Sequence, residues 1–481
     1  MTTPDKKSLI ALGVIMLQFV IFKQFYPHAS FFQDSYTYID AAVEGTAVSY
    51  RPIGYSWFLS LVHHISYQET LLVFIQYALL QLSGLYLYLT VIELHRPGKR
   101  ISNIIFYSLL LNPLSLYVAN AVSSDALFTS LTLLWLTELL KLMHRPGLAP
   151  LLRQLVLLVL IFYTRFNALY YPLVAAAACL MATRRWKFRL IGITATVLVV
   201  VACIKIVEHV TFKETGTKTF SAFSGWKIAN NALYAYPYVK VDSGDLPSQG
   251  CRDLDRIVRQ YFETSGPLHT GRQPDAFWYL WTANAPLKKY MRWRQAQEKS
   301  DYFTAWNRVG PVYSQYGYHI VLHHPLAYGQ RFALGSATAF FYPGLEMLGR
   351  YNEGVDTVDA VAQEWFQYSS NEVKAADKFI QGKILAPFPF VWAFLNLAGI
   401  TLSAFFLTAG RARWRTLDGS LRKGLVLTLV YCVINAGFLI FATPSVFRYH
   451  LAPLTWLFVF ILLAYDRWPA RRDPAPAASM G

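Results

Sequence analysis

Apolar residues in this chain gather in long runs separated by short polar turns. The runs lie near 8–27, 69–92, 101–119, 124–143, 149–164, 166–183, 188–210, 384–409, 422–442 and 447–465. Each approaches the roughly 20 residues a helix needs to cross a bilayer. Lipid offers no partner to backbone N–H and C=O groups, so such spans are read as helices. The pattern predicts an all-α polytopic membrane protein with about ten transmembrane helices, the third interrupted at Asn112-Pro113. Between the seventh and eighth spans stands one long segment, 211–383, too long to be structureless. Within it, 253–264, 286–298 and 359–380 alternate as amphipathic helices. Stretch 325–348 is apolar and aromatic but holds Gln330, Arg331 and Glu346. It reads as an interfacial helix on the outer leaflet, with a buried core helix as the alternative.

Composition agrees with this reading: of 481 residues, 54% are hydrophobic and 15% charged, whereas soluble domains carry about 25% charged residues. The net charge of +16 does not indicate nucleic acid, since no nucleic-acid-binding motif accompanies it. Much of the excess sits in clusters on alternate loops: Lys6/Lys7, Arg96/Lys99/Arg100, Lys141/Arg145/Arg153, Arg184/Arg185/Lys187/Arg189, Arg411/Arg413/Arg415/Arg422/Lys423 and Arg467/Arg471/Arg472. The positive-inside rule makes these loops and both termini cytoplasmic. The first run, after Lys6 and Lys7, reads as an uncleaved signal anchor. Four cysteines without a CxxC pair support neither a zinc site nor a disulfide framework.

The predicted organisation is a transmembrane module at 1–210 with its first outer loop at 28–68, an outer domain at 211–383, C-terminal transmembrane helices at 384–466, and a cytoplasmic tail at 467–481. Polar residues at span ends then collect on the outer side: Asp34, Asp40 and Glu44; Arg51; Asp125; Arg165; Arg448 and His450. Asp34 sits between Phe31/Phe32 and Tyr36/Tyr38, a setting expected to desolvate the carboxylate and raise its pKa, as suits a general base. Arg51 begins the turn Arg51-Pro52-Ile53-Gly54-Tyr55 and offers a guanidinium fork suited to a phosphate. The plain readings are solvated surface carboxylates and arginines snorkelling to headgroups.

The run Asp34-Ser35-Tyr36-Thr37-Tyr38-Ile39-Asp40-Ala41, the Arg51-Pro52-Ile53-Gly54-Tyr55 turn and Ser124-Asp125-Ala126-Leu127-Phe128 resemble motifs of the GT-C glycosyltransferases. The likeness is to their family 39-like, protein-mannosyltransferase and aminoarabinose-transferase branch. It covers residues 1–210 well and the rest in outline. It implies a GT-C-like fold with an outer, periplasmic domain, and an inverting transfer of sugar from a polyprenyl phosphate to an acceptor hydroxyl. Asp34 would be the base, with Arg51, Arg165, Arg448 and His450 at the donor phosphate. Tyr36, Tyr38, Asp40, Tyr55, Asn230 and Asn231 would bind substrate, the two amides standing in an aromatic patch with Trp226, Tyr234 and Tyr236. Packing of the outer domain is the plain alternative for that patch. Helix 325–348 would guide the prenyl chain. No cofactor is required, though relatives leave room for a divalent metal, Mg or Mn, at Asp125; that carboxylate would otherwise orient Arg165 or cap its helix. Relatives that mannosylate proteins often carry two adjacent acids, whereas Ser35 follows Asp34 here. This points away from protein mannosylation and leaves a glycan, lipid or protein acceptor open. The segment assigned outside has no Asn-x-Ser/Thr sequon, which favours a bacterial inner membrane, with the site on its periplasmic face. The competing readings are a lipid-linked oligosaccharide ligase and a lipid or sugar transporter or flippase.

Overall fold

The computed structural model describes residues 3–183, 185–266, 275–408, 414–415 and 417–467. Arg184, Arg411, Arg413, Arg471 and Arg472 of the basic clusters, and the tail from 468, lie outside the described residues. The described chain is helical with no named strand. It contains eight helices long and apolar enough to cross a membrane: Lys7–Phe25, Glu69–His95, Lys99–Ala119, Ser124–His144, Trp186–Thr215, Ile380–Leu407, Gly419–Phe441 and Phe447–Asp466. Leu148–Thr164 and Phe166–Ala182 are apolar but shorter. The chain is therefore a membrane protein by the length and composition of its helices.

Breaks in the bundle follow from local chemistry. The third span divides into α5 (Lys99–Leu110) and α6 (Pro113–Ala119). Pro113 has no N–H and stands in the first turn of α6, while the Asn112 side chain caps that helix by accepting from Leu114 N. At the end of α8 (Leu148–Thr164), Arg165 leaves helical geometry with φ −154° and ψ 132°. A short 3-10 turn, Phe166–Tyr170, then leads into α9 (Tyr171–Ala182). The most enclosed helix is α7 (Ser124–His144), whose long buried face packs in the centre of the bundle.

Two hydrophobic cores divide the chain. One fills the bundle and extends to Leu348, Tyr351, Val358, Ala362, Phe366 and Leu385. The other lies within 222–333 and is built on Trp226, Leu254, Tyr279, Trp306, Tyr313 and Tyr316. The segment expected as one outer domain at 211–383 therefore splits, because the apolar residues after Phe340 pack on the bundle and its first loop. Helices α11 (Ala222–Leu233), α12 (Gln249–Ser265), α13 (Pro286–Glu298) and α14 (Tyr302–His323) make up the second unit. α12 and α13 match the amphipathic stretches, whereas 359–380 holds only the short helix Ala360–Phe366 and a bridge between Thr357 and Glu372.

Stretch 325–348 is helical only from Pro325 to Phe341, with one π turn at Gly329–Ala333. Pro343-Gly344 follows, and the chain turns back through the 3-10 turn Glu346–Gly349. The helical part ties to the bundle: Tyr328 Oη donates to Phe441 O, and the Trp392 indole donates to Phe340 O at 2.6 Å.

Helices α11 and α14 cross at glycines. A Cβ on Gly225 would fall 2.1 Å from the Gly310 carbonyl oxygen, and one on Gly317 2.7 Å from Ala229 N. Gly225→Val is therefore expected to lower the melting temperature in detergent, at a cost of at least about 1–3 kcal/mol typical of overpacking. Gly13→Ala, with nothing within 4 Å of the added atom, should leave it nearly unchanged.

Candidate functional site

The first loop is organised by a backbone crossing. Ser30 N donates to Asn120 O at 2.8 Å, and Val122 N donates to Ser30 O at 2.9 Å. Ser35 Oγ accepts from Phe32 N at 2.8 Å and donates to Val122 O at 2.6 Å, starting helix α2 (Gln33–Glu44) against the chain that begins α7. Asp34 in the first turn of α2 and Asp125 in the first turn of α7 are brought to one place by this crossing. A third strand of chain closes it: Asn352 accepts from Phe31 N through its side chain and donates through its own N–H to Ser30 Oγ, both at 3.0 Å. Asn352 and Glu353 take left-handed backbone (φ 48° and 51°) to make that turn.

Three arginines enter this point from separate parts of the chain. Arg51 Nη2 donates to Asp34 Oδ1 at 2.5 Å, and its Nε donates to Thr37 Oγ1 at 3.2 Å. Arg448 Nη1 donates to Asp34 Oδ2 at 2.9 Å and stands 3.6 Å from Asp125 Oδ2. Arg165 Nη2 is 2.7 Å from Asp125 Oδ1, and its Nε donates to Ser124 Oγ at 2.8 Å. Ser124 Oγ shares a further hydrogen bond with Tyr38 Oη at 2.9 Å. Phe128 and Tyr449 flank the Arg165 guanidinium at 5.5 and 5.6 Å. Both aspartates are buried, and Arg448 Nε is buried with no hydrogen-bond partner.

Three guanidinium groups thus face two carboxylates, and one positive charge remains over in a mostly dehydrated place. Buried charge is tolerated only when compensated, so the cluster is suited to one more anion. Two cavities meet the cluster. One is a narrow cavity that runs from Arg51 and Pro52 between Tyr163, Phe220, Phe223 and Trp306, along the seam with the second unit. The other, also narrow, lies beside Arg165 and Arg448 among Phe128, Asn167, Tyr170 and Asn435.

The electrostatics of Asp34 differ from the sequence expectation. Burial does act to raise its pKa, but Arg51 and Arg448 outweigh it and hold the carboxyl well below the usual carboxylate range. Its aromatic neighbours matter less than two cations, one of them 414 residues away in sequence.

The structure brings Asp34, Tyr38, Arg51, Asp125, Arg165 and Arg448 together and leaves other candidates apart. Tyr36 is half-buried and stacks on Phe31, while Asp40 lies on the exposed face of α2. Tyr55 is fully buried, packs edge-on against Tyr38 and donates to Gln76 Oε1 at 2.8 Å, so it supports the site from below. His450 is buried against Phe340 and Trp392 with a 2.8 Å hydrogen bond to Ser445 Oγ, so its place is in packing. Asn230 and Asn231 are also interior: Asn230 Nδ2 donates to Asn231 Oδ1 and Ala276 O, and Asn231 Nδ2 donates to Ala442 O at 3.4 Å. Trp226 stacks on Trp306 at 4.0 Å, so the amide and aromatic patch is the second unit's core and its seam. A divalent metal does not fit Asp125, whose oxygens face Arg165, Arg448 and the Ser123 hydroxyl. No metal-ligating group of three His, Cys, Asp or Glu occurs among the described residues.

Two charged groups at the site escaped the sequence reading. Lys227 of α11 faces the arginines from the second unit; burial, followed by repulsion from Arg51, Arg165 and Arg448, holds its amine down to about 7. Glu346 stands exposed beside the cluster on left-handed backbone (φ 48°). Its turn is fixed beside Arg448 by the bond from Phe447 N to Gly344 O at 3.1 Å.

Neither a family model, nor a curated protein, nor a solved structure matches this chain.

A carboxylate whose folded pKa is depressed adds stability above its unfolded pKa, near 3.8 for Asp34, and that stability is lost as pH falls through the folded value. Asp34→Asn is therefore expected to melt below the wild type at pH 7. The gap should narrow as pH is lowered past about 4, measured by thermal unfolding in detergent across pH.

Proposed function

We propose that this chain is a membrane glycosyltransferase of the GT-C type, moving a sugar from a polyprenyl-phosphate donor to an acceptor hydroxyl at the periplasmic face. The observation that carries the reading is the surplus guanidinium charge around Asp34 and Asp125, with one buried Arg448 N–H left without an acceptor. A phosphodiester has one negative charge, which offsets the surplus of the three arginines over the two aspartates. The order of the Asp34, Arg51 and Asp125 motifs adds support through the resemblance, and alternating basic loops support the orientation.

In this reading, Asp34 occupies its arginines until phosphate arrives. The phosphate oxygens compete for Arg51 and Arg448, and loosening those contacts makes the carboxylate more basic. Asp34 then takes the proton of the acceptor hydroxyl as its oxygen attacks the anomeric carbon. The bond from that carbon to the phosphate oxygen breaks, its electron pair stays on the phosphate, and configuration inverts. The leaving phosphate gains negative charge as the reaction proceeds, so the arginines bind it more tightly in the transition state than in the donor. Polyprenyl phosphate departs into the membrane, and in this reading the helical stretch at 325–341 guides its chain. The metal expected as an option at Asp125 has no part in this mechanism.

An oligosaccharide ligase would use the same cations on a pyrophosphate. A transporter is disfavoured by unlike halves and by a charge cluster at helix starts rather than mid-span.

Asp34→Asn is expected to reduce transfer by about 10²–10⁴-fold, the usual contribution of a general base, while still holding donor. Mass spectrometry of lipids co-purified with wild type and Asp34→Asn provides the test. Enrichment of a polyprenyl-phosphate sugar on the variant supports the reading and identifies the sugar. Bulk phospholipid alone on both proteins, from a membrane that contains the donor, contradicts it.

A further inference from the structure

We infer that Lys227 is the fourth cation of the phosphate site, contributed by the second unit and in contact with the lipid-linked phosphate once it is bound. The inference rests on the glycosyl-transfer reading above and adds a residue that neither the motifs nor the resemblance indicates.

The position is rigidly set. Lys227 follows Trp226, which stacks on Trp306 and is fully buried. The glycine crossing of α11 with α14 flanks it, with Gly225 against Gly310 and Ala229 against Gly317. The first loop meets the same surface: Tyr50 packs edge-on against Phe303 and Trp306 at 5.0 and 5.8 Å, immediately before Arg51. The Phe223 ring, on which the Lys227 ammonium rests, lines the same cavity as Arg51 and Trp306, and this places the lysine at the edge of the cluster. The charged groups acting on it are Arg51, Arg165, Arg448 and Asp34.

Its partners set it apart. Arg51 and Arg448 share Asp34, and Arg165 pairs with Asp125. Lys227 has no hydrogen bond or ion pair among the described residues; its ammonium rests 4.8 Å from the centre of the Phe223 ring. A lysine present only for solubility would extend its charge into water, but this one is partly buried beside three guanidinium groups. Placing a fourth like charge there is unfavourable unless an anion joins it. A phosphate between the arginines and the lysine supplies that anion. It also draws a proton onto the amine, which burial and the neighbouring guanidinium groups hold down to about 7. Binding therefore takes up a proton at Lys227, and the lysine's contribution fades as pH rises above about 7.

The test is binding of polyprenyl phosphate to the full chain in detergent, with phosphatidylglycerol as the competing phospholipid, for wild type, Lys227→Met and Lys227→Arg. Lys227→Met should weaken polyprenyl phosphate by roughly 10- to 100-fold at pH 6.5, the range for one hydrogen bond to a charged group. Lys227→Arg should stay close to wild type. The gap between wild type and Lys227→Met should shrink by pH 9, while the gap between Lys227→Arg and Lys227→Met should persist. Acylation of the wild-type amine, read by peptide mass spectrometry, gives a second measure independent of any variant's folding. Lys227 should react in the free protein and be protected by polyprenyl phosphate. Equal affinity of Lys227→Met and wild type, or undiminished acylation with ligand bound, overturns the inference while the transferase reading stands. Equal weakening of phosphatidylglycerol would mark a general headgroup surface and overturn it too. Failure of the wild type to prefer polyprenyl phosphate over phosphatidylglycerol is a different result, which removes the reading beneath it.

Discussion

The carboxylate of Asp34 is divided between two guanidinium groups, one oxygen to Arg51 and the other to Arg448. The rest of the architecture arranges itself around that division. Arg51 belongs to the first loop and Arg448 to the start of the last span, so one side chain closes the chain's two ends on each other. Taking these groups out of water is costly, and their mutual attraction compensates only if the geometry is held. The Ser30 crossing, the Ser35 bonds at the head of α2 and the Asn352 latch hold it. These contacts fix the places of three segments distant in sequence. They contribute through position more than through their own energy.

A resting ion pair of this kind has a chemical consequence. Asp34 occupies two of the arginines in the way a phosphate would, and held between them its carboxylate is a weak base. In the proposed reading a ligand anion exchanges with the carboxylate, and basicity then appears only when a donor is bound. The seam along Tyr50 and Trp306, and the turn at Glu346 tied to Phe447 through Gly344, bring the second unit and the 340–385 segment to this cluster.

Much of this was legible in the residues, and the limits have physical causes. Spans follow from apolar run length, and Asp34, Arg51, Asp125, Arg165 and Arg448 stood out because charges at one set of span ends break the basic-loop pattern. Their pairing was not legible, since Arg448 lies 414 residues from Asp34. For that reason the sequence alone points to a raised Asp34 pKa, whereas the two arginines lower it. Asn230, Asn231 and Trp226 misled because amides among aromatics look alike in a sugar site and in a satisfied core. His450 misled through its nearness to Arg448, although its ring turns to Ser445 and Trp392. Lys227 gave no signal, being one lysine on an ordinary amphipathic helix. Glu346 shows in the sequence only as a polar interruption of an apolar run, and the Pro343-Gly344 turn that carries it beside Arg448 falls within a stretch whose apolar character predicts helix.

The central claim is that Arg51 and Arg448 exchange Asp34 for a lipid phosphate. Cryo-electron microscopy of the full chain in lipid nanodiscs, with and without polyprenyl phosphate, addresses it directly. The account predicts phosphate density between the two guanidinium groups, with both withdrawn from the Asp34 oxygens. Both ion pairs intact, with the lipid phosphate bound elsewhere, would contradict it.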